Sequence, residues 1–521
     1  MTGRRDVIVI GGGHNGLAAA ALLGRGGLDV LLLEASERLG GAAITEEFHP
    51  GFRASTLAHV AGPLRPALVQ RLGLKLDVVE PPVRTFAPGR PGLALHADPD
   101  ESARSIGAFS PKDAQRYAAF HTSLGRVARL VARVVDAVPP DVGDPGARDL
   151  LGLARLALGY RRLGRRDAVS LLRWAPMAVA DFAAEWFESE PLRALIAARG
   201  IRGAFAGPWS PGTTANLLLG AAYDGGNGAG GCALVRGGLG ALSQSLARAA
   251  RDNGVEVRTE AVVSRITSRD GRVSGVVLEN GTDIRARVVV SATDPQRTVV
   301  DLLDPALLDP DDRRRFQSVR MTGMASKVNV ALGALPRFAG AEDVGRLRGR
   351  IHVGPDVDAI ERAFDAAKYG GFWERPYIDA TLPTLSDPDL APPGRHVLSA
   401  YVQYTPSELR DGGWEARRDE LGKVVLATLE SAAPGLGALV EAVQILTPLD
   451  LEERYRLRGG HPGHGDPGLD QLFVARPVLG YQRYRGPLPG LYLCSAGTHP
   501  GGGVTGAPGL NAATEVLRDL R

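Results

Sequence analysis

A chain of 521 residues is long enough for several hydrophobic cores, and its length points to roughly three domains. A formal net charge of +3 is too small to mark a nucleic-acid-binding protein, and Cys232 and Cys494 are too few and too far apart for a CxxC pair, a zinc spacing or a disulfide framework. The sequence has no uncharged apolar run of about 18 residues, so no transmembrane helix is expected, and the glycine motif around Leu17–Leu23 explains that stretch better than a signal peptide does.

Asp6–Ile10 is a short apolar run rich in Val and Ile, which reads as a buried strand. Gly11-x-Gly13-x-x-Gly16 follows at once and opens an Ala/Leu-rich helix. A second apolar run, Val30–Leu33, ends in Glu34, followed by Ala35. This is the order of a dinucleotide-binding unit. Gly11 allows the tight turn, Gly13 leaves room for a pyrophosphate against the backbone, and Gly16 lets helix and strand pack closely. The helix start offers free N–H groups and a positive dipole end to phosphate. Glu34, about 20 residues past the glycines, suits a ribose diol. A bare glycine turn without ligand is the plainer alternative. Gly40-Gly41 then leads into a mixed segment, 43–110.

Residues 111–222 read as helices. Leu124, Val127, Val131 and Val134 share one face, Arg126, Arg129 and Arg133 another, and Pro139-Pro140 ends the helix. Asp149–Trp174 carries Arg155, Arg161, Arg162, Arg165, Arg166 and Arg173. Such a segment is either a solvated helical face or a contact for an anionic membrane surface. Gly225–Gly231 breaks the chain. Gly238-x-Gly240-x-x-Ser243 then opens a helix, but it lacks the third glycine and a leading strand, so a separate NAD site is not expected there. Val255–Ala292 reads as a three-stranded meander, turned at Asp270-Gly271 and Asn280-Gly281. Between 301 and 480 come strands such as Val397–Tyr404 and helices such as Leu421–Ala432. His461, His464 and Asp466 in GGHPGHGDPG form a loop cluster rather than a metal site, and no metal is expected. Gly490–Cys494 reads as a strand, and a helix runs from about Asn511 to Leu520.

The stretches GGGHNGLAAAALL, LLLEASERLGGAAITEEFHPGF and LYLCSAGTHPGGGVTG resemble the FAD-dependent phytoene desaturase-like family, and within it the branch called pyridine nucleotide-disulfide oxidoreductase domain protein 2. The family's usual Arg after the Gly-Gly pair is Ala42 here, as in that branch. This departure argues against a generic amine oxidase, not against FAD. The resemblance implies FAD held by Gly11, Gly13, Gly16, Glu34, Ala35, Gly40 and Gly41, with an adenine-side backbone contact at Val263 and Ala292 near the cofactor. Gly503, Val504 and Thr505 would cover the flavin, their N–H groups facing its pyrimidine carbonyl. His499, at that edge, is the catalytic candidate, with a loop-fixing hydrogen bond as its plainer role. His59 is an active-site candidate whose plainer reading is a buried or solvent histidine.

The expected fold class is α/β: a discontinuous FAD-binding Rossmann-type domain with a β-meander, plus an α+β substrate domain with a helical subregion. The FAD domain would take 1–100, 229–300 and 481–521, with a helical substrate or membrane-facing region at 101–228 and the substrate domain at 301–480. The expected activity is FAD-dependent oxidation, such as desaturation, of an apolar isoprenoid-, carotenoid- or lipid-like substrate by hydride transfer to flavin N5. The electron acceptor would be oxygen or a quinone rather than bound NAD(P). An amine or amino-acid oxidase, a redox-neutral isomerase or saturase, and a non-catalytic flavin-fold scaffold stay open as alternatives. The partner is an apolar small molecule and not nucleic acid; peripheral membrane contact and homo-oligomerisation stay open. The location read from the sequence is cytoplasmic, with or without membrane association.

Overall fold

Alternation of side chains along short apolar strands builds the centre of the molecule. In the computed structural model, which describes residues 4–60, 64–226 and 228–521, the strands Arg5–Ile10, Val30–Leu33, Glu256–Arg258, Asp283–Ser291 and Leu491–Leu493 pair in parallel. Val7, Val9, Val30, Leu32, Val288 and Val290 point to one face, into a core shared with the helices His14–Arg25, Leu239–Asp252 and Ala507–Asp519. Ile8, Ile10, Leu31, Leu33 and Val289 point to the other, into a core shared with Ile266, Val276 and Phe316. A parallel sheet covered on both faces needs this nearly unbroken apolar sequence.

The strand Asp283–Ser291 does two jobs, and its sequence shows the change. In DIRAR polar and apolar residues alternate; in VVVS every side chain is buried. Asp283–Arg285 pair antiparallel with Gly275–Val277 in the meander, whereas Ala286–Ser291 pair parallel with the Arg5–Ile10 strand. The first meander turn, Asp270-Gly271, has both residues in the left-handed region (φ 53° and 69°), as a two-residue hairpin requires.

A second seven-stranded sheet runs in the order Val440–Leu446, Ala325–Leu332, His396–Gln403, Ile378–Thr381, Arg350–Val353, Val83–Ala87, Leu93–His96. Its Val83–Ala87 and Leu93–His96 strands correct the assignment of everything before residue 100 to the first domain: they add to the edge beyond Arg350–Val353, not to the nucleotide sheet. The helix Trp414–Ala432 covers one face, with Trp414, Leu421, Val425 and Leu429 buried. It begins before the expected Leu421 because Trp414 is itself a core residue, stacked on Phe372 with its indole N–H donated to the Pro406 carbonyl. The last helix likewise begins at Ala507 rather than Asn511, since Pro508 sits in the first turn, where no backbone N–H is missed.

The helices Pro111–Asp136, Val179–Trp186, Glu190–Ile201 and Thr213–Tyr223 form a third layer around Phe120, Phe182, Phe187 and Trp174. Leu124 and Val127 face this core, and Arg126, Arg129 and Arg133 face out, as their spacing predicts.

The two ends of the chain meet at a helix crossing made of small residues. Ala18, Ala19, Ala20 and Ala21 are fully buried, and a Cβ at Gly509 would overlap the Asn15 carbonyl oxygen. Gly509→Ala should therefore lower stability by about 1–3 kcal/mol, the range for overpacking a tight contact. Chemical denaturation measures this, and an unchanged midpoint would show that the crossing is looser than described.

Candidate functional site

At the carboxyl end of the Arg5–Ile10 strand the chain turns through Gly11 (φ 96°) into the helix His14–Arg25. A Cβ at Gly16 would overlap the Gly11 carbonyl oxygen, and one at Gly12 would reach the Leu39 side chain at 2.6 Å. Gly16 is thus demanded by protein packing, while Gly12 is crowded chiefly by the end of a movable leucine side chain. Gly13 is different. Its φ of −67° suits any residue, and a Cβ there meets no atom within 4 Å. The space beside it is a cavity of about 470 Å3, within the ~300–1,000 Å3 usual for small-molecule and cofactor sites. No side chain caps the helix and no acid stands in its first turn, so a ligand with negative charge would meet its free N–H groups.

Gly11, Gly13, Gly16, Glu34, Ala35, Gly41, Val263 and Ala292 all line this one cavity. Glu34 accepts the Gly12 N–H at 2.6 Å and the Ser36 N–H at 2.8 Å, one on each carboxylate oxygen. Each oxygen keeps a second acceptor position for a ribose hydroxyl. Gly40 and Gly41 (φ 129° and 56°) run beside the glycine turn: the Gly40 N–H donates to the Gly12 carbonyl at 2.9 Å, and Gly40 bridges to Gly13. Ala292 returns to the turn by donating its N–H to the Ile10 carbonyl at 2.8 Å. Arg38, Arg297, Arg454 and Arg456 add positive charge to the lining.

The C-terminal glycine run is placed less uniformly. The Gly503 backbone lies against the His14 imidazole, which burial keeps neutral with its pKa lowered to about 4. Val504 packs into the core of the nucleotide sheet, and the Thr505 carbonyl accepts the Arg65 N–H at 3.0 Å. Neither Val504 nor Thr505 lines the cavity as it stands.

His499 is outside it too, and takes the plainer role. Its Nε2–H donates to the Val134 carbonyl at 3.0 Å, near the end of the Pro111–Asp136 helix, and its ring meets Phe473 edge-on. Burial lowers its pKa to about 4. His461, His464 and Asp466 go separate ways. His461 bonds the Gly203 carbonyl and accepts the Gly463 N–H, His464 lines the cavity, and Asp466 accepts the Phe205 N–H. Their loop is held by Arg476, whose guanidinium donates to the carbonyls of Gly463, Gly465, Asp466, Gln471 and Ala496.

A second group lies behind the cavity wall; the sequence singled out its His59 but missed the partners that His59 meets. Ala58 donates its N–H to the carbonyl of Ala42, a lining residue, and the next side chain, His59, enters a buried charge cluster. Lys327, fully buried, donates from Nζ to His59 Nδ1 at 2.8 Å. His59 Nε2 points at Asp379 Oδ1, 3.6 Å away. Asp379 is also bound by Arg350 and, at 2.7 Å, by Arg202. Burial alone would raise the Asp379 carboxyl, but the two guanidiniums hold it well below the usual carboxylate range. Burial, reinforced by Lys327, lowers His59 to about 3, so the ring is neutral, with Nδ1 the acceptor. Burial also pushes Lys327 down from 10.5 to about 7, Asp379 opposing and Arg350 assisting. The available sign was Lys327 and Asn329 within an eight-residue strand of otherwise small and apolar side chains, ASKVNVAL, where alternation sends both to the face opposite Val328 and Val330.

The profile of the family described as flavin containing amine oxidoreductase matches residues 16–517. A rat protein named pyridine nucleotide-disulfide oxidoreductase domain-containing protein 2 is 37% identical, over 99% of this chain and 94% of its own. One of the subunits of limonene dehydrogenase from Castellaniella defragrans is 29% identical over 99% of this chain and 95% of its own. The neurosporene-forming phytoene desaturase of Rhodobacter capsulatus is 26% identical over 96% and 91%. Among solved structures, cyclohexylamine oxidase from Brevibacterium oxydans superposes with a TM-score of 0.57 at 20% identity, covering 99% of this chain and 100% of that one, and so shares the fold. The cofactor is FAD, and the cavity beside Gly13 has the donors and the shape to hold it.

Two outcomes separate the roles of the glycines. Gly13→Ala places a methyl group in the cavity alone and should weaken FAD binding by about tenfold or more, some 1.4 kcal/mol, with an unchanged apoprotein melting temperature. Gly16→Ala should instead lower that temperature, by the equivalent of about 1–3 kcal/mol. Flavin titration and thermal melts read both; equal behaviour of the two variants would contradict the assignment. Lys327 supplies a pH test. The unfolded chain binds its proton more tightly than the folded chain, so between pH 7 and 10.5 the unfolded state carries more protons and the lysine's contribution to stability rises with pH. Lys327→Met should be most stabilising relative to wild type near pH 6 and lose that advantage by about pH 10. A melting-temperature difference flat across this range would contradict it.

Proposed function

The chain belongs to the flavin containing amine oxidoreductase family, and from that premise we propose that this FAD-dependent oxidoreductase oxidises an apolar, isoprenoid- or lipid-like substrate. FAD supplies the redox chemistry, taking a hydride from a substrate C–H bond. The protein's part is to hold cofactor and substrate together and keep water out. Gly11, Gly13, Gly16 and Glu34 would bind the pyrophosphate and ribose, and Val263 the adenine side. The C-terminal glycine run would reach the site through Gly503, whose backbone lies against the lining residue His14. Lys327, half-protonated near neutrality and bonded to His59, is the side chain best suited to take or return a proton.

The observation that carries the choice of an uncharged substrate is the sign of the buried cluster. Asp379 is its one carboxylate, and two arginines and His59 already surround it, with Lys327 beside them. Amines are cations at neutral pH, and a buried positive field with no free carboxylate disfavours a cation. Limonene and phytoene, named in two relatives that align over nearly the whole chain, are uncharged hydrocarbons. Amine oxidation is the second reading, supported by the family's description.

Anaerobic mixing of the flavin-loaded protein with terpenes, polyenes and lipid extracts, and separately with primary and secondary amines, distinguishes the two. Bleaching of the visible flavin band by an apolar compound and not by amines is expected. Bleaching by amines alone would establish the second reading.

A further inference from the structure

The helices Ala147–Arg162 and Gly164–Trp174 lie on the outside of the Pro111–Asp136 helix, and they are fastened there by polar bonds. Asp149 pairs with Arg483 at 3.0 Å. Asp167, buried, pairs with Arg126 at 2.7 Å and accepts the Ser123 hydroxyl at 2.8 Å. Gly159 seats the first helix against Leu130. The inner face also buries Ala168 and Trp174 and packs Leu171 against the helical core, while five other apolar side chains point the other way. Leu150, Leu151 and Leu158 follow the i, i+1, i+8 spacing of one helical face and are 56%, 52% and 48% exposed. On the second helix Val169 and Leu172, one turn apart, are 57% and 68% exposed. An amphipathic helix with its apolar face turned to solvent is the reverse of what folding alone produces.

Charge decides what covers this face. Arg155, Arg161, Arg162, Arg165 and Arg166 are exposed around the leucines, and none makes an ion pair among the described residues. The two acids on the helices, Asp149 and Asp167, are engaged inward. Asp141 and Asp144 precede them in a loop, where Asp141 accepts the Gly143 and Asp144 N–H groups. A second copy of the chain docking through this face would bring arginine against arginine across a two-fold axis. An anionic lipid surface offers the opposite charge at the rim and apolar chains beneath for the leucines. We propose that residues 147–174 form a membrane-docking face that lies in the headgroup layer of an anionic bilayer, with Leu150, Leu151, Leu158, Val169 and Leu172 inserted and the arginines on the phosphates.

The inference rests on this surface and not on the substrate reading, and it is tested without substrate. The flavin-loaded protein is floated with vesicles of phosphatidylcholine alone and of phosphatidylcholine with phosphatidylglycerol, at low and high salt. It should float with the anionic vesicles at low salt and be released by salt. Leu151→Glu/Leu158→Glu and Arg155→Gln/Arg162→Gln should each weaken partition by roughly tenfold or more, with flavin content and melting temperature unchanged, since all four side chains are exposed. No flotation on anionic vesicles at low salt would overturn the proposal. So would flotation that both double variants retain, or a wild-type oligomer that fails to float and that Leu151→Glu/Leu158→Glu converts to monomer.

Discussion

The structure depends on how closely one helix approaches its neighbours. His14–Arg25 runs under the nucleotide sheet with Gly16 against the Gly11 carbonyl, while Gly24 faces Asn253 and Val255 and Gly26 faces Leu517. The Asn15 carbonyl in turn meets Gly509. A helix whose outer surface is alanine and glycine can be touched on several sides at backbone distance. That lets segments from the beginning, middle and end of the chain pack around it, and the cavity forms where they leave its first turn uncovered. Apolar burial of about 25 cal/mol per Å2 drives this association, but the small residues set its geometry.

Much of this was legible because it is local. The glycine turn, the two apolar strands, the Glu34 carboxylate and the hairpin at Asp270-Gly271 each follow from backbone conformation or side-chain period within a few residues. The convergence of Val263 and Ala292 on the cavity was legible through family resemblance, since no spacing joins residue 13 to residue 263. The strands Val83–Ala87 and Leu93–His96 were misplaced because strand pairing is decided by the partner edge, here Arg350–Val353, more than 250 residues away. His499 could not be placed from sequence at all: its partner is a backbone carbonyl at Val134, and carbonyls leave no mark in a sequence.

The charge cluster shows the same limit from the other side. His59, Arg202, Lys327, Arg350 and Asp379 come from five separate segments; His59 stands out as an active-site candidate and Lys327 as a charge in an apolar strand, but nothing in the sequence joins them to the two arginines or to Asp379. Only in the fold do they meet, and only there does burial bring the lysine near neutrality and keep the histidine uncharged. Lone buried charges are costly, so the cluster persists because Asp379 is bound by both guanidiniums and Lys327 by His59. Arg476 solves a related problem with carbonyls instead of a carboxylate: burial lowers it to about 10, and five backbone oxygens share its protons.

The central claim is that three distant parts of the chain close around one flavin. The visible absorption spectrum of the purified protein, with the flavin released on denaturation and quantified against protein, addresses it directly. The protein should be yellow and hold FAD in a one-to-one ratio with the chain, or take up added FAD to that ratio. A colourless, folded protein that takes up none would contradict it.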